Sequence, residues 1–262
     1  MPELPEVESV TRTLNRLINK KFSSVEILTE KLKKPIQKDL ELKLKNNAIK
    51  DIYRRGKYII FQLEKGYIVS HLGMTGKFLV NILNDKHTHI IMKFEDGTVL
   101  VYSDIRKFGF LTYEDNLNIK SLESLGVDPL TDDFNTEDFY KETSKSEKDI
   151  KDFLMAQNIV SGLGNIYVNE TMYLAGINPL TKMNTLSKKQ VDNIVKITKE
   201  ILRKSINLGG SSISDYVNAD NEKGKFQNHF NVYKRSEDRF GNKVEKISQS
   251  GRATYYAPAL QK

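Results

Sequence analysis

The sequence contains no cysteine, no tryptophan and no long apolar segment. The absence of cysteine excludes disulfides, thiolate zinc sites, iron–sulfur clusters and cysteine nucleophiles. No apolar run approaches the roughly 20 residues that span a bilayer, and the opening MPELPEVESV has early acidic residues where a signal peptide has an apolar core. We therefore expect a soluble, cytoplasmic protein. With 12 Phe and 12 Tyr among 262 residues, the chain can bury the cores of two modest domains.

Charge is distributed unevenly along the chain. The net charge of +7 divides into +7 over residues 1–110, −7 over residues 111–150 and +7 over residues 151–262. Two basic segments therefore flank an acidic connector. Basic segments suit a polyanionic partner, because neutralising phosphates releases condensed counterions. Solvated surface lysines are the simpler explanation, and the charge by itself does not decide between the two.

The N-terminal half alternates between one helical pattern and many short β-rich runs. Pro5 and Glu6 open an apparent helix whose apolar residues recur at helical spacing up to Ile18. From Phe22 to about Tyr113 the runs are short, rich in β-branched and aromatic residues, and separated by Gly-containing turn signals. This pattern predicts one helix followed by a β-sandwich or a β-barrel.

The C-terminal half is predicted to be helical with a terminal hairpin. Helical patterns cover 147–161, 165–175 and 186–207, and a Gly-, Ser- and Asn-rich loop follows. The last segment, 231–262, alternates enough to predict a hairpin that turns near Gly241-Asn242. A β-rich part, an acidic connector and a helical part together predict two domains with a cleft between them.

The first residues carry a candidate nucleophile. Met1 is expected to be removed because the next residue is small, and its removal leaves the secondary amine of Pro2 free. An α-amino group has a pKa of about 7.7–8, so part of the Pro2 amine is neutral near pH 7. A neutral amine can form a Schiff base with a sugar carbon, and Glu3 and Glu6 could supply acid and base. Ordinary helix capping explains the same residues.

The sequence resembles the formamidopyrimidine-DNA glycosylases, bacterial enzymes that excise oxidised purines. The resemblance rests on motifs that stand in the family's order and run nearly from end to end of the chain. These are MPELPEVE at 1–8, RRGKY at 54–58, SHLGMTG at 70–76, DIRKFG at 104–109, LGVDPL at 125–130, GLGNIY at 162–167, GGS at 209–211 and GRATYY at 251–256.

The resemblance implies an α+β fold. An N-terminal β-sandwich with a long N-terminal helix would precede a helical domain with a helix–two-turn–helix motif and a β-hairpin finger. The implied domains are a catalytic domain at 1–127, the acidic connector at 128–146, the helix–two-turn–helix domain at 147–230 with a lesion-recognition loop at 209–227, and the finger at 231–262.

The resemblance also implies the chemistry. Pro2 would attack C1′ of the damaged nucleotide and displace the base, with Glu3 as the acid at the sugar ring oxygen and Glu6 beside them. β- and δ-elimination would then cut the strand. Lys57 and Arg252 match the family positions that donate protons and grip the flanking phosphates.

Further positions are assigned to DNA and to the extruded base. Met74, Arg106 and Phe108 match the residues that fill the gap left by the everted nucleotide, as base-flipping enzymes require. The other expected DNA contacts are His71, His87, Lys151, Asn165 and Tyr233. The residues expected around the lesion are Ser211, Ser212, Ile213, Ser214, Asp215, Tyr216 and Glu170.

Several of these residues have simpler explanations. His71 on its own would more often be a core histidine, and Met74 and Phe108 would more often be core residues. His87 and His89 are expected on one face of a strand without a third ligand for a metal. Asn165 follows Gly164 at the start of a predicted helix, where exposed N–H groups favour a phosphate.

The finger departs from the family pattern. Most members close it with four cysteines around zinc, but this chain reads SEDRFG at 236–241 and APAL at 257–260. We therefore expect a zincless finger and no cofactor. Apolar packing is expected to hold the hairpin instead, through Val232, Phe240, Val244, Ile247, Tyr255 and Tyr256.

The expected function is base-excision repair by a bifunctional glycosylase and abasic-site lyase. Its expected partner is duplex DNA with oxidised bases or abasic sites, bound by a monomer at the nucleoid and not by a membrane protein. Two alternatives stay open: an endonuclease VIII-like enzyme that prefers oxidised pyrimidines or hydantoins, and a damaged-DNA-binding protein without catalysis.

Overall fold

A computed structural model describes residues 1–83, 85–213 and 215–262. These residues form two compact units. The first unit joins residues 1–123 to residues 208–225, and the second joins residues 124–207 to residues 226–262. Within the described ranges, no helix is long and apolar enough to cross a membrane.

The first unit is a two-sheet β-structure with one main helix. Helix α1 (Leu4–Leu14) precedes two antiparallel four-stranded sheets. Two short helices, α2 (Leu40–Leu44) and α3 (Lys120–Glu123), complete it. The strands are β1 (Phe22–Ile27), β2 (Ile49–Arg55), β3 (Tyr58–Leu63), β4 (Tyr67–His71), β5 (Gly76–Val80), β6 (Thr88–Phe94), β7 (Val99–Asp104) and β8 (Phe110–Glu114). Their order is β1-β6-β7-β5 in one sheet and β2-β3-β4-β8 in the other.

One core joins the two sheets and α1. Phe61 of one sheet packs edge-on against Phe78 of the other, with ring centroids 5.5 Å apart. Val7, Val10 and Leu14 recur every three or four residues, so they lie on one face of α1 and join the same buried cluster. The expected β-sandwich with an N-terminal helix is confirmed, and the core holds the first residues of the chain against the sheets.

The second unit is helical. It contains α4 (Thr136–Thr143), α5 (Ile150–Met155), α6 (Asn165–Ala175) and α7 (Lys188–Asn207). Helix α6 is buried from Ile166 to Tyr173, as expected for a central helix. The helix predicted over 147–161 is shorter, because the backbone turns to an extended conformation at Ala156.

The C-terminal hairpin pairs β9 (Glu245–Gln249) with β10 (Arg252–Tyr256). Its two central turn residues, Ser250 and Gly251, have φ of +50° and +72°, which suits the twist of a two-residue hairpin. The predicted turn near Gly241-Asn242 is therefore wrong for this hairpin; that segment closes only an isolated bridge between residues 237 and 243.

The expected packing of the hairpin is only partly right. Val232 and Val244 form a cluster with Tyr173 and Ala257, and Tyr255 packs against it. Phe240 is instead 66% exposed, beneath the guanidinium of Arg239.

Candidate active site and nucleic-acid interface

The first turn of α1 fixes the N-terminal residues. Pro2 is buried and Met1 is 52% exposed. Glu3 caps the helix in a reciprocal arrangement: its side chain accepts from the backbone N–H of Glu6, and Glu6 Oε2 accepts from the backbone N–H of Glu3 at 2.9 Å. This capping box accounts for both acids structurally and also holds the Glu3 carboxylate next to Pro2.

The second oxygen of Glu6 binds the loop at 208–225. Glu6 Oε1 accepts from the backbone N–H of Ser211 at 2.7 Å and from its hydroxyl at 2.9 Å. The Tyr216 hydroxyl donates to the carbonyls of Glu6 and Gly209, both at 3.1 Å, and burial raises the pKa of this phenol. A carboxylate that is 1% exposed therefore connects the predicted catalytic residues to the predicted lesion-recognition loop.

The rest of that loop is more open. Ile213 is 37% exposed, and Asp215 is exposed as well. Ser212 accepts from the backbone N–H of Gly224 at 2.9 Å and donates to the carbonyl of Tyr216 at 2.8 Å. Ser214, also predicted here, lies outside the described residues.

Lys57 and Lys33 place positive charge near His71 in the first unit. Lys57 follows Gly56 in the turn between β2 and β3 and is 7% exposed. Burial, together with the charges of Lys57 and Lys33, lowers the pKa of His71 to about 4. His71 Nδ1 accepts from the backbone N–H of Gly73 at 2.9 Å, so the neutral ring carries its proton on Nε2. His71 is thus a neutral donor among cations.

Met74, Arg106 and Phe108 lie on two adjoining loops. A Cβ on Gly73 would come within 2.4 Å of the Phe108 backbone, so the turn between β4 and β5 contacts the loop before β8 directly. Met74 is 39% and Phe108 45% exposed, and the Arg106 guanidinium lies over the Phe108 ring at 4.6 Å. The structure brings all three together at the surface, whereas the core packing that composition favours for Met74 and Phe108 does not occur.

Asp104, which was not among the predicted site residues, holds this pair of loops. Its fully buried carboxylate accepts from the Thr75 hydroxyl at 2.6 Å and from the backbone N–H groups of Gly109 at 2.7 Å and Arg106 at 3.2 Å. Its position as the first residue of the DIRKFG motif was the available signal.

His87 and His89 occupy different environments. His87 precedes β6 and is half-buried, whereas His89 is 6% exposed with Nε2 at 2.9 Å from the carbonyl oxygen of Asp104. The expectation of two imidazoles on one strand face is wrong, because His87 lies in the turn before the strand. In the described parts of the chain no three His, Cys, Asp or Glu side chains form a group suited to a metal ion.

Lys151, Asn165 and β10 meet in the second unit. Lys151 is 1% exposed and its ammonium donates to the Thr254 hydroxyl and, at 3.3 Å, to the carbonyl of Ala253. Burial, aided by the charge of Arg252 and opposed by Asp152, lowers the pKa of Lys151 to about 8. Asn165 donates to the same Ala253 carbonyl at 2.9 Å.

The start of α6 and the hairpin turn flank this contact. Asn165 is the first residue of α6, where helix N–H groups lack intrahelical partners. Arg252 is exposed immediately after the hairpin turn. Gln157, which was not among the predicted site residues, fixes the turn before α6. Its side chain accepts from the N–H of Gly162 at 2.9 Å and donates to the carbonyl of Leu163 at 2.8 Å.

Glu170 lies in the interior of the second unit. It is 0% exposed and accepts from the backbone N–H groups of Asn231, Val232 and Tyr233 and from the Asn231 amide, all within 2.8–3.0 Å. Tyr233 packs edge-on against Tyr255 with centroids 5.3 Å apart. Glu170 therefore fixes the segment that carries Tyr233.

Comparisons with known proteins identify the family of both units. Residues 1–111 match the formamidopyrimidine-DNA glycosylase N-terminal domain, and residues 125–217 match the helix–two-turn–helix (H2TH) domain of the same enzymes. Curated formamidopyrimidine-DNA glycosylases from Listeria monocytogenes and Shouchella clausii are 38% and 40% identical; each alignment covers all of this chain and at least 99% of the relative.

Solved structures give the same result. A Lactococcus lactis Fpg complex with DNA containing N7-benzyl-Fapy-dG matches with a TM-score of 0.90 and 37% identity over the whole of both chains. A complex of the same enzyme with abasic-site DNA matches with a TM-score of 0.89 and 36% identity over 99% of each chain. The chain therefore belongs to the formamidopyrimidine-DNA glycosylase family.

Proposed function

We propose that this protein is a base-excision repair enzyme that removes oxidised purines, 8-oxoguanine and formamidopyrimidines, from duplex DNA and then cleaves the strand. The observation that carries the proposal is the Glu6 carboxylate, which caps Glu3 through one oxygen and binds Ser211 of the loop through the other. One buried group thus links the residues proposed for chemistry to the loop proposed for lesion recognition.

The nucleophile is the Pro2 amine after Met1 is removed. Met1 is half-exposed at the surface, so its removal uncovers the Pro2 nitrogen. The nitrogen forms a bond to C1′ as the bond from C1′ to the damaged base breaks, and the base leaves with a proton. Glu3 protonates the sugar ring oxygen, and the opened sugar is left as an iminium on Pro2.

The iminium acidifies the hydrogens on C2′. Loss of one of these protons expels the 3′ phosphate by β-elimination, and a second proton loss expels the 5′ phosphate by δ-elimination. Lys57 and Arg252 hold these phosphates and supply protons to the departing oxygens. His71 serves as a neutral N–H donor, since its pKa lies near 4.

The exposed Met74, Arg106 and Phe108 occupy the space that the extruded nucleotide leaves in the duplex. Unstacking a base costs a few kcal/mol, and an aromatic or apolar side chain inserted in its place offsets part of that cost. The Arg106 guanidinium, held over Phe108, donates to the unpaired base opposite.

The second unit supplies further backbone contacts. The first turn of α6, with Asn165 and the Lys151 ammonium nearby, suits a phosphate. The chain's net charge of +7 adds a sequence-independent attraction to DNA. The proposed partner is duplex DNA bound by a monomer, which implies a location at the bacterial nucleoid, and the proposed steps use groups of the chain itself.

Borohydride trapping tests the proposal. The wild type, Pro2→Gly and Glu3→Gln are mixed with duplexes that contain 8-oxoguanine, a formamidopyrimidine or an oxidised pyrimidine, and covalent adducts are counted after reduction. We expect a wild-type adduct, most rapidly on the purine lesions, and much slower trapping of Pro2→Gly, whose primary amine still forms an imine but lacks the fixed position of the proline ring. Mass spectrometry should show a mature chain that begins at Pro2. Binding without any adduct from a processed N-terminus would identify a non-catalytic binder, and faster trapping on the pyrimidine would favour the endonuclease VIII-like alternative.

A further inference from the structure

A buried carboxylate occupies the base of the finger. Asp238 is 5% exposed. Its Oδ1 accepts from the backbone N–H groups of Phe240 at 2.8 Å and Asn242 at 2.9 Å. Its Oδ2 accepts from the side-chain amide of Asn242 at 2.9 Å and from the Tyr173 hydroxyl at 3.0 Å. We refer to residues 236–244, with Asp238 near their start, as the knuckle.

The knuckle does not suit the zinc that most family members bind at this place. A carboxylate has about four lone-pair sites, and four N–H and O–H donors already fill those of Asp238. The equivalent of the second cysteine pair, Ala257 to Leu260, offers no side-chain ligand. Soft thiolate donors are absent from the whole sequence. The donor set therefore disagrees with a zinc site.

The knuckle connects α6 to the hairpin. Tyr173 lies in α6 and anchors Asp238, and the N–H of Val244 donates to the carbonyl of Ser236 at 2.8 Å immediately before β9 begins. Tyr173 and Val244 also share an apolar cluster with Val232 and Ala257. The carboxylate thus ties the first residues of the finger to the helix that carries Asn165 and Glu170.

The electrostatics agree with an ionised carboxylate. Burial alone would raise the pKa of Asp238, but the hydrogen bonds from Asn242, Phe240 and Tyr173 hold it below its ordinary value. Burial, together with the Asp238 carboxylate, raises the pKa of Tyr173 to about 12. The phenol therefore stays a donor and the acid stays an acceptor at neutral pH.

We propose that Asp238 is the positioning residue of this finger: its hydrogen-bonded carboxylate organises the knuckle as a metal does elsewhere in the family, and the finger's grip on DNA depends on it. The part of this inference that concerns DNA affinity rests on the proposed function. It also makes the finger insensitive to chelators, because the bonds that close the knuckle come from the chain itself.

Hydrogen exchange and DNA binding test the proposal on the full chain. Two variants change the bonds of the knuckle: Asp238→Asn, and Tyr173→Phe, which removes one hydrogen-bond donor and keeps the ring. The matched control is Glu237→Gln, which neutralises the adjacent exposed acid. Amide exchange is followed in peptides from 236–249 and from α7. Affinity for a duplex with a tetrahydrofuran abasic analogue is measured from 50 to 200 mM salt, with and without 1,10-phenanthroline.

Asp238→Asn should speed exchange in 236–249 but not in α7, and should weaken binding at least tenfold. It should also flatten the plot of log affinity against log salt by about 0.9 for each phosphate that the finger no longer neutralises. Tyr173→Phe should act in the same direction, with about a threefold loss of affinity, while Glu237→Gln and the chelator change nothing. A general loss of folding would not by itself flatten the salt dependence.

Two results would overturn the inference. In the first, Asp238→Asn and Tyr173→Phe both show the same amide exchange and DNA affinity as Glu237→Gln. In the second, the chelator speeds amide exchange in the knuckle of the wild type. If Asp238→Asn does not fold, Tyr173→Phe decides. If the wild type does not bind the abasic duplex, the proposed function fails, but exchange in 236–249 still tests Asp238 on its own.

Discussion

Gly210 offers a sharp test of the link between Glu6 and the lesion-recognition loop. Gly210 has a φ of +81°, and a Cβ there would come within 3.0 Å of both Cγ and Oε1 of Glu6. Carbon atoms pack best at about 3.5–4.0 Å. In Gly210→Ala the Glu6 side chain must therefore move, and it cannot do so without stretching its bonds to Ser211 and to Glu3.

The size of the effect follows from two costs. An alanine in the left-handed region costs about 1–2 kcal/mol. Weakening a hydrogen bond to a buried charged group costs about 1.5–3 kcal/mol more. Gly97→Ala is the matched control, because Gly97 has a similar φ of +85° in the same unit, and a methyl group there would have no described atom within 4 Å beyond its chain neighbours. It should incur the backbone cost alone and lower Tm by roughly 2–8 °C.

The assay compares single-turnover excision of 8-oxoguanine with cleavage at a preformed abasic site. Gly210→Ala should slow excision by about 10- to 150-fold, since weakening the bonds of Glu6 costs about 1.5–3 kcal/mol and each 1.4 kcal/mol is a factor of ten. Abasic-site cleavage should fall less, because no base needs to be held by the loop. Gly97→Ala should leave both rates near those of the wild type. Equal rates for Gly210→Ala and Gly97→Ala would refute the argument that Glu6 holds the loop in its working position.

Three other predictions concern Phe108, His71 and Lys151. Phe108→Ala should slow excision about tenfold, and it should leave Tm unchanged because the ring is exposed. The control Leu42→Ala, at a leucine that is 78% exposed, should change neither the excision rate nor Tm. A lower Tm with normal excision in Phe108→Ala would contradict this prediction. The folded-state pKa of His71 is about 4 against 6.5 when unfolded, so the unfolded chain binds more protons between these values. As the pH falls from 6.5 to 4, the free energy of unfolding of the wild type should therefore fall by up to about 3 kcal/mol relative to that of His71→Gln. Urea titrations at each pH measure this difference, and the same pH dependence in both proteins would refute the prediction. The Lys151 ammonium, with a pKa of about 8, should lose its charge as pH rises. DNA affinity measured between pH 7 and 9 should therefore fall more steeply in the wild type than in Lys151→Met, which retains the titration of the Pro2 amine; equal slopes would refute this prediction.

The class of fold and the family could be predicted from residue patterns and motifs alone, whereas the roles assigned to individual site residues stay predictions. The helical spacing of Val7, Val10 and Leu14 was sufficient to predict α1, because a 3.6-residue period places those side chains on one face that can be buried. Gly-containing turn signals also separated the short β-rich runs of the N-terminal part, whereas the turn of the C-terminal hairpin was predicted at the wrong place. The serial motifs identified the family, because each motif had to occur in order along the chain.

Which distant groups meet depends on how the elements pack in the folded chain. Glu6 and Ser211 are 205 residues apart in sequence, and no local pattern pairs a capping acid with a distant loop. The hairpin turn formed at Ser250-Gly251 and not at Gly241-Asn242, because Asp238 holds the latter segment in a tighter bonded turn. Local sequence sets backbone preferences, but the partner of a buried carboxylate depends on which elements pack beside it. The roles of Glu6, Asp104, Glu170 and Asp238 as buried acceptors therefore became visible only in the folded chain.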